Sequence, residues 1–289
     1  MTTGPPMLAS LLASIPSPPG KSIGIGPFQL RAYGLAIAVG VLAAVWIAQR
    51  RYARRGGDPE DLAAIAMWAV PMGLVGARLY HVVTDYQRFQ GRWWSVVEVW
   101  EGGLGIPGGL LVGVITGVVL ARRRGLDVPI LLDVVAPAIP IAQAIGRLGN
   151  WFNQELFGRP SDLPWAVRID PAHRPDGLDH VATYHPTFLY EALWNIALAA
   201  LLMRLDRTGR LRRGQLFTLY VAGYALGRLW VEALRIDPAN EILGLRVNIW
   251  TSLAALVIAA AVFVVQSRRA APAPNLEQIP EQADGRHRR

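Results

Sequence analysis

Gly146-Arg-Leu-Gly-Asn-Trp-Phe-Asn-Gln-Glu-Leu-Phe-Gly158 ends the fourth long apolar run of the chain. It places Arg147, Asn150, Asn153 and Glu155 within nine residues. In a bilayer a buried polar group must find a partner or is costly, so four polar side chains at the end of a membrane-spanning run require a reason. This stretch is therefore the first candidate for an active site.

The composition indicates a chain whose solvent is lipid. Hydrophobic residues make up 52% of the 289 positions, charged residues make up 17%, and the mean hydropathy is +0.28. The net charge of +8 does not indicate binding to nucleic acid, because the basic residues stand in short arginine clusters between apolar runs and Lys21 is the only lysine. This arrangement is typical of membrane topology signals and of attraction to anionic lipid headgroups.

The sequence contains no cysteine, which excludes disulfides, thiolate metal ligands and a cysteine nucleophile. Any thiol that takes part in the chemistry belongs to the substrate. The apolar runs also lack the Ser–His, paired-Asp and His-Glu-x-x-His patterns of proteases, which argues against a membrane protease.

Seven stretches have the roughly 20 mostly apolar residues that a membrane helix needs. Arginine clusters follow every odd-numbered stretch, and the positive-inside rule therefore puts those ends in the cytoplasm. We predict an all-α polytopic membrane protein with seven transmembrane helices, an extracytoplasmic N-terminus and a cytoplasmic C-terminus. The predicted spans are residues 28–49, 61–82, 103–121, 129–150, 186–204, 215–234 and 247–267.

The segments outside the spans have distinct expected roles. Residues 83–102 are rich in aromatic side chains and are predicted to lie along the outer interface as an arm. Residues 151–185 contain several prolines and a strand-like run at Trp165–Ile169, and are predicted to form a small extracytoplasmic cap. A cleaved signal peptide is not expected, because no basic residue precedes the short apolar stretch near the N-terminus. The predicted domains are an N-terminal extracytoplasmic segment 1–27, a catalytic membrane domain 28–267 and a disordered cytoplasmic tail 268–289.

Charged residues also occur inside the sixth predicted helix. Tyr224, Arg228 and Glu232 are spaced four residues apart and therefore share one helix face. A charge near the bilayer centre costs at least about 2.5 kcal/mol, which pairing of Arg228 with Glu232 would offset in part. The pair either locks two helices together or belongs to a ligand site.

Arginines near the outer helix ends favour the ligand site. Arg78, Arg147 and Arg228 come from three predicted helices and outnumber the nearby carboxylates Glu155 and Glu232. An excess of positive charge suits an anionic ligand, and arginine binds phosphate through two parallel hydrogen bonds. The expected anion at the outer leaflet is a phospholipid phosphate.

Glycines and asparagines near these arginines allow two interpretations each. Gly108 and Gly109 at the start of the third predicted helix permit either close helix packing or close approach of a lipid headgroup. Asn150 and Asn153 could hydrogen-bond glyceryl hydroxyls or ester carbonyls of a lipid. Alternatively, they tie the end of the fourth helix to the cap.

His185 begins the fifth predicted helix at the outer interface, followed by Pro186. It is either a polar anchor or, with a pKa near 6.5, a base at neutral pH. Tyr190 and Glu191 are expected to lie close enough to orient its ring.

The stretch from Gly146 to Gly158 resembles the signature of the bacterial prolipoprotein diacylglyceryl transferases. Similar segments occur in the family's order along nearly the whole membrane core. The resemblance implies a multi-pass enzyme of the bacterial inner membrane with seven helices, an outside N-terminus, and no metal or cofactor. The other matching segments are Arg31-Ala-Tyr33-Gly34, Gly76-Ala-Arg78, Trp100-Glu-Gly-Gly103, His185-Pro-Thr-Phe-Leu-Tyr-Glu191 and Tyr224-Ala-Leu-Gly-Arg228-Leu-Trp-Val-Glu232.

The implied reaction moves a diacylglyceryl group from phosphatidylglycerol to the lipobox cysteine thiol in a prolipoprotein signal peptide. It forms a thioether and releases glycerol 1-phosphate, as the first step of lipoprotein maturation. The implied partners are phosphatidylglycerol, prolipoproteins and the lipid bilayer, with no nucleic acid, and we expect a monomer. The alternative is a membrane protein that binds or transports an anionic phospholipid with the same arginines and releases no glycerol phosphate.

The sequence departs from the family at one position. Many members carry a histidine before two glycines at the start of the third helix, where this chain has Pro107. A proline cannot move a proton. Three explanations remain: the base is His185 or Glu155, the family histidine is not essential in this branch, or the chain has lost activity. We favour the first two together.

The resemblance assigns the family's key arginines to Arg147 and Arg228, which would hold the lipid phosphate, favour the substrate thiolate and stabilise the departing phosphate. Glu232 would orient Arg228. The predicted catalytic residues are Arg147, Arg228, His185 and Glu155, and the predicted phosphatidylglycerol-binding residues are Arg147, Asn150, Asn153, Tyr33, Arg78, Tyr224, Glu232, Gly108 and Gly109.

Overall fold

A computed structural model describes residues 14–18, 20–25, 28–98, 103 and 105–269. This part of the chain is mostly helical. The predicted N-terminal segment up to residue 13 and the predicted tail from residue 270 lie outside the described residues, as does Trp100–Gly102 of one matching segment. The helices are α1 Ala32–Ala53, α2 Pro59–Thr84, α3 Ile106–Arg123, α4 Val128–Val135, α5 Ala138–Asn153, α6 Thr187–Asp206, α7 Gln215–Leu234 and α8 Val247–Arg269. The strands are β1 Ser22–Ile25, β2 Phe28–Arg31, β3 Val167–Arg168, β4 Thr183–Tyr184, β5 Glu241–Ile242 and β6 Leu245–Arg246.

The helices coincide with the seven predicted apolar stretches, although α1 begins at Ala32 because Phe28–Arg31 is a strand. Four of them, α1, α2, α6 and α8, are long and apolar enough to cross a membrane, and α4 with α5 forms a bent pair that would make a fifth span. The prediction of a multi-pass helical chain is thus supported. The three short antiparallel hairpins, β1–β2, β3–β4 and β5–β6, add strands to the predicted all-α fold.

The fourth predicted span is broken into α4 and α5 at Pro137. Proline has no N–H, so the carbonyl of Asp133, four residues earlier, loses its helical donor. Arg51 supplies donors instead: its guanidinium donates to the carbonyl of Val134 at 2.8 Å and to that of Asp133 at 3.2 Å. The arginine side chain therefore satisfies backbone groups that the break exposes.

The described residues divide into two compact units, one made of residues up to 44 together with residues 135–269, the other of Val45–Val134. In the first unit α5 packs on α6, α6 on α7, and α7 on α8. One end of these helices holds an apolar cluster. Its buried members are Ala136, Leu198, Leu202, Leu216 and Tyr220, with Ile139 and Tyr224 packed against them.

The segment between α5 and α6, for which a cap was predicted, folds around a small apolar core in the first unit, and its position outside the membrane stays a prediction. The strand-like run predicted at Trp165–Ile169 is present as β3, which pairs with β4. Ile15 lies parallel to β3, since its N–H donates to the carbonyl of Ala166 at 2.8 Å and its carbonyl accepts the N–H of Arg168 at 2.9 Å. The buried apolar core of the cap consists of Phe157, Val167, Ile169, Tyr184 and Phe188.

In the second unit, α2 and α3 approach each other through glycines. A Cβ added to Gly76 would lie 2.6 Å from the carbonyl oxygen of Gly108, and one added to Gly109 would lie 3.1 Å from that of Gly73. The first distance is too short for a side chain, and so is the 2.4 Å between a Cβ added to Gly108 and the carbonyl oxygen of Gly76, whereas the contact at Gly109 is merely tight. Gly76 and Gly108 therefore need glycine for this close helix contact. The contacts of Gly108 and Gly109 thus support close packing of α2 and α3, the first of the two interpretations. Their contact with lipid stays a prediction.

Arg78 fastens the predicted arm to α2 in the second unit. Its guanidinium donates to the backbone carbonyls of Val96 at 2.7 Å, Gly103 at 3.0 Å and Glu98 at 3.3 Å, and also to that of Ser95. Only 7% of the residue is exposed. These contacts give Arg78 a structural role in holding the arm, and its predicted role in binding phosphate remains a prediction.

Candidate functional site

Three helices of the first unit meet at a buried carboxylate, that of Glu191 on α6. One of its oxygens accepts a hydrogen bond from Arg147 of α5 at 2.6 Å, and the other accepts one from Arg228 of α7 at 3.4 Å. Glu191 is 4% exposed, while both guanidiniums keep a small exposed fraction. The two arginines that were predicted to act together thus share one carboxylate.

The second carboxylate, Glu232, is almost fully buried near the end of α7 and connects this helix to residues at the start of α8. Its Oε2 is 2.8 Å from Arg228, in the i,i+4 ion pair that the sequence predicted. Its Oε1 accepts hydrogen bonds from Arg246 at 2.6 Å and from Asn248 at 3.2 Å. Glu232 is 1% exposed, and this set of partners holds the side chain that faces Arg228 in one position.

Asp237 extends this arrangement beyond the end of α7. Its carboxylate accepts two hydrogen bonds from Arg235, at 2.6 and 2.8 Å, and one from Arg246 at 3.0 Å. Burial acts to raise the pKa of Asp237, but the hydrogen bonds and charges of the two arginines outweigh it and lower that pKa. Asp237 is therefore ionised at neutral pH and fixes Arg246, which in turn holds Glu232.

A sharp turn at the end of α5 brings Glu155 back onto its own helix. Gln154 adopts the left-handed conformation with φ 52°, and the N–H of Glu155 then donates to the carbonyl of Asn150 at 3.1 Å. The side-chain Oε1 of Glu155 accepts hydrogen bonds from the amides of Asn150 at 2.9 Å and Asn153 at 3.0 Å. Asn150 in turn accepts one from Arg147 at 3.1 Å. The four polar residues of the signature stretch are thus brought together.

The charge of this cluster differs from the prediction. Because Glu191 pairs with both predicted phosphate-binding arginines, the expected surplus of positive charge is wrong for the cluster as a whole. Its four arginines are balanced by four carboxylates. The arginines are Arg147, Arg228, Arg235 and Arg246, and the carboxylates are those of Glu155, Glu191, Glu232 and Asp237.

His185 lies in a separate hydrogen-bonded chain on the cap side of α6. Its Nδ1 is 3.1 Å from the hydroxyl of Tyr190, and that hydroxyl accepts a hydrogen bond from the indole N–H of Trp165 at 2.9 Å. Tyr190 therefore orients the imidazole, as predicted. Among the described residues, Glu191 has its contacts with the arginines and not with His185.

The two predicted tyrosines occupy different surroundings. The ring of Tyr33, on α1, lies directly against Gly149 of the signature stretch. Tyr224 packs near Tyr220, with ring centroids 6.2 Å apart, on the apolar cluster of α6 and α7. Tyr33 therefore adjoins the candidate site, whereas the described contacts of Tyr224 are those of a packing residue.

The contact between Gly149 and Tyr33 leads to a prediction about stability. A Cβ on Gly149 would lie 2.4 Å from the Tyr33 ring, so Gly149→Ala must displace that ring. We expect it to lower the free energy of unfolding by about 1–3 kcal/mol, as overpacking does. Gly146→Ala is the matched control on the same helix, because nothing lies within 4 Å of its added Cβ. That control should be neutral or stabilising by up to about 1 kcal/mol. Thermal unfolding in detergent measures both, and equal melting temperatures would contradict the prediction.

Some residues of the cluster were not foreseen from the sequence. None of the short segments quoted for the family resemblance contains Arg246, Asn248 or Asp237, and no spacing rule connects these residues to Glu232. Glu191 was noted only as a neighbour of His185. Its charge inside an apolar helix was the signal that could have identified it, because such a carboxylate needs a cationic partner.

Comparisons with known proteins identify a family and several relatives of this chain. The family model described as "Prolipoprotein diacylglyceryl transferase" matches residues 21–265. A phosphatidylglycerol–prolipoprotein diacylglyceryl transferase of Frankia alni is 53% identical over 265 residues, covering 91% of this chain and 70% of the relative. The protein of that name from Streptomyces griseus is 48% identical over 284 residues, covering 95% and 86%. That from Mycobacteroides abscessus is 44% identical over 290 residues, covering 95% and 84%.

The matched region contains every residue of the arginine–carboxylate cluster and the whole helical part of the chain up to residue 265. Identity of this level over nearly the full chain is independent of the contacts described above. The chain therefore belongs to the prolipoprotein diacylglyceryl transferase family.

Proposed function

We propose that this chain transfers the diacylglyceryl group of phosphatidylglycerol to the lipobox cysteine of prolipoproteins, forming a thioether and releasing glycerol 1-phosphate. The observation that carries the proposal is the group of Arg147, Glu191 and Arg228. Two guanidiniums from different helices converge on one buried carboxylate where three helices meet, and both keep a small part of their surface exposed. The phosphodiester of phosphatidylglycerol carries one negative charge, which these two guanidiniums would bind directly.

The two arginines retain hydrogen-bond donors for such a phosphate. A guanidinium has five N–H groups. The hydrogen bonds of Arg147 are those to Glu191 and Asn150, and the ion pairs of Arg228 are those to Glu191 and Glu232. The remaining donors can bind phosphate oxygens in the forked geometry that arginine favours. Glu191 and Glu232 hold both side chains in place for this contact.

The transfer replaces one carbon–oxygen bond by a carbon–sulfur bond. The substrate thiol gives its proton to a base, the sulfur attacks the diacylglyceryl carbon, and the bonding electrons of the carbon–oxygen bond leave with glycerol phosphate. The positive field of the arginines favours the thiolate and stabilises the charge that develops on the departing phosphate. The released phosphate ester then takes up the proton held by the base.

Glu155 is better connected to this site than His185. Its Oε1 accepts hydrogen bonds from Asn150 and Asn153, and Asn150 is bonded to Arg147. Its Oε2 has no protein partner among the described residues and can accept a proton. His185 instead faces Tyr190. We therefore propose Glu155 as the proton acceptor that stands in for the histidine replaced by Pro107.

The choice of base gives a testable prediction. Glu155→Gln keeps the hydrogen bond from Asn150 to Oε1 but removes the basic oxygen, so transfer should fall by about 10²–10⁴-fold, as loss of a general base does. His185→Gln should retain activity within about tenfold and keep the pH profile of the wild type. The measurement is the pH dependence of transfer for both variants. A pH profile that changes shape in His185→Gln, together with an active Glu155→Gln, would assign the base to His185.

The topology proposed for the chain uses all its long helices. With the α4–α5 pair counted as one, α1, α2, α3, α6, α7 and α8 complete seven spans. The arginine clusters at the ends of the odd-numbered spans place those ends in the cytoplasm, and they put the N-terminus and the cap outside. We propose a monomer in the bacterial inner membrane with the arginine–carboxylate cluster near the outer leaflet.

The function is tested with purified protein in detergent, phosphatidylglycerol and a synthetic lipobox peptide. We expect release of glycerol phosphate together with a mass increase of the peptide by one diacylglyceryl group. A peptide with serine in place of cysteine should give neither product. Binding of phosphatidylglycerol without release of glycerol phosphate would overturn the proposal in favour of a lipid-binding protein, a function that the comparisons do not favour.

A further inference from the structure

Two uncharged polar side chains lie one helical turn from the arginine–carboxylate cluster, on the side that faces the apolar cluster of the bundle. Gln143 precedes Arg147 by four residues on α5, and Asn195 follows Glu191 by four residues on α6. Arg147 contacts Glu191. At the other end of these helices, Ile139 packs against the apolar cluster that contains Leu198 and Leu202.

The two helices therefore run in opposite directions. Gln143 lies midway between Arg147 and Ile139 on α5, and Asn195 lies between Glu191 and Leu198 on α6, so the two amides are at the same height along the helix pair. One turn is about 5.4 Å.

Asn195 is fully buried, with 0% of its surface exposed, yet neither its Oδ1 nor its Nδ2 has a hydrogen-bond partner among the described residues. Gln143 donates from Nε2 to the hydroxyl of Tyr220 at 3.1 Å, and its Oε1 is buried without a partner. Buried polar groups in proteins are almost always hydrogen-bonded, either to protein or to water. An amide with both ends unpartnered in an apolar bundle therefore indicates a bound polar molecule.

Water is the ligand whose chemistry fits. The amides of Asn195 and Gln143 offer one donor group and two acceptor oxygens, and a buried water makes two to four such bonds. The carboxylate of Glu191 lies one turn away and uses one arginine contact per oxygen, at 2.6 and 3.4 Å. Each carboxylate oxygen can accept a second hydrogen bond.

We propose that Asn195 is a positioning residue, which binds water against the inner side of Glu191 and so holds that carboxylate between Arg147 and Arg228. The proposal rests on the proposed function for its kinetic consequences. Its structural part, a hydrated amide that supports Glu191, does not depend on the reaction.

The test compares Asn195→Leu with Thr218→Val as a matched control. Leucine has the branching of asparagine and removes both unpartnered polar atoms. Thr218 is also buried and lies on α7, but its hydroxyl is bonded to the carbonyl of Gly214 at 3.0 Å and to Gln266 at 3.1 Å. Its replacement should lower the melting temperature without changing transfer.

For Asn195→Leu we expect the opposite pattern. The melting temperature should be unchanged or raised, because leucine replaces a buried amide that has no hydrogen-bond partner in the described protein. The kcat should fall by about tenfold or more, while the KM for phosphatidylglycerol stays within about threefold. The reason is that a displaced arginine can still bind the lipid phosphate but no longer stabilises the charge that develops in the transition state. Asn195→Ser, which keeps a polar group and leaves room for water, should recover most of the lost kcat. A lower melting temperature with unchanged kcat would show a structural role only and overturn the proposal.

A readout independent of activity separates this proposal from the proposed function. The infrared carboxylate band of Glu191, identified by its loss in Glu191→Gln, should shift in Asn195→Leu and remain in place in Thr218→Val. A band that stays at the wild-type position in Asn195→Leu would overturn the water bridge. If the wild type released no glycerol phosphate but the band shifted, the hydrated contact would stand and the proposed function would fail.

Discussion

Arg147→Ala is expected to reduce diacylglyceryl transfer by at least about 10²–10³-fold, the loss seen when a charge-stabilising donor is removed from an active site. Arg147 supplies one of two guanidiniums at the proposed phosphate site. The variant should remain folded, because Glu191 keeps Arg228 as an ionic partner at 3.4 Å and no carboxylate is left without a cation. Release of glycerol phosphate and the melting temperature in detergent measure the two parts of this expectation.

Two further variants sharpen the result. Arg147→Lys keeps the charge but not the forked geometry, so its activity should lie between those of the wild type and Arg147→Ala. Arg124→Ala removes an exposed arginine that pairs with Asp61 at 2.9 Å, and it should leave transfer unchanged and stability within about 1 kcal/mol. Wild-type activity in a folded Arg147→Ala protein would remove Arg147 from the mechanism.

Glu191→Ala is expected to have the largest effect on stability. It leaves Arg147 and Arg228 facing each other in a buried position without the carboxylate that they share. Removing one partner of a buried ion pair costs about 3–5 kcal/mol, because the remaining charge stays desolvated. We therefore expect a lower free energy of unfolding by this amount and a melting temperature several degrees below that of the wild type, measured by thermal unfolding in detergent.

The control for this variant is Glu241→Ala. Glu241 lies on the exposed hairpin strand β5, and its loss should change stability by no more than about 0.5 kcal/mol. Glu191→Gln separates the effect of charge from that of shape. Its melting temperature should lie between those of Glu191→Ala and the wild type, because the amide oxygen can still accept a hydrogen bond from one arginine. If Glu191→Ala and Glu241→Ala had the same melting temperature, Glu191 would not be the electrostatic centre of the three helices.

The signature stretch shows how far local sequence can define a site. Arg147, Asn150, Asn153 and Glu155 were predicted as one functional group, and a turn at Gln154 brings them together. The pairing of Arg228 with Glu232 was also predictable, because residues four apart on a helix are neighbours. In both cases the partners lie within one or two turns of each other along the chain.

The contacts between distant segments were not predictable in the same way. Glu191 is 44 residues from Arg147 and 37 from Arg228. Which carboxylate meets which arginine depends on how deep each helix sits and how it is rotated, and no linear spacing records this. Arg78 is an example of a contact that the sequence position did not suggest. Its place near a helix end suggested a ligand contact, whereas in the structure its guanidinium donates to backbone carbonyls of the arm and of Gly103.

The sequence by itself determined that the chain is a multi-pass membrane protein, where its helical segments lie, and to which family it belongs, because apolar length and a long motif are properties of contiguous residues. Tertiary structure alone decided that Glu191 joins the two arginines, that Arg246 and Asn248 hold Glu232, and that glycines pack α2 against α3. Those choices follow from ion pairing and close packing between helices, which depend on distances in space between groups far apart in the chain.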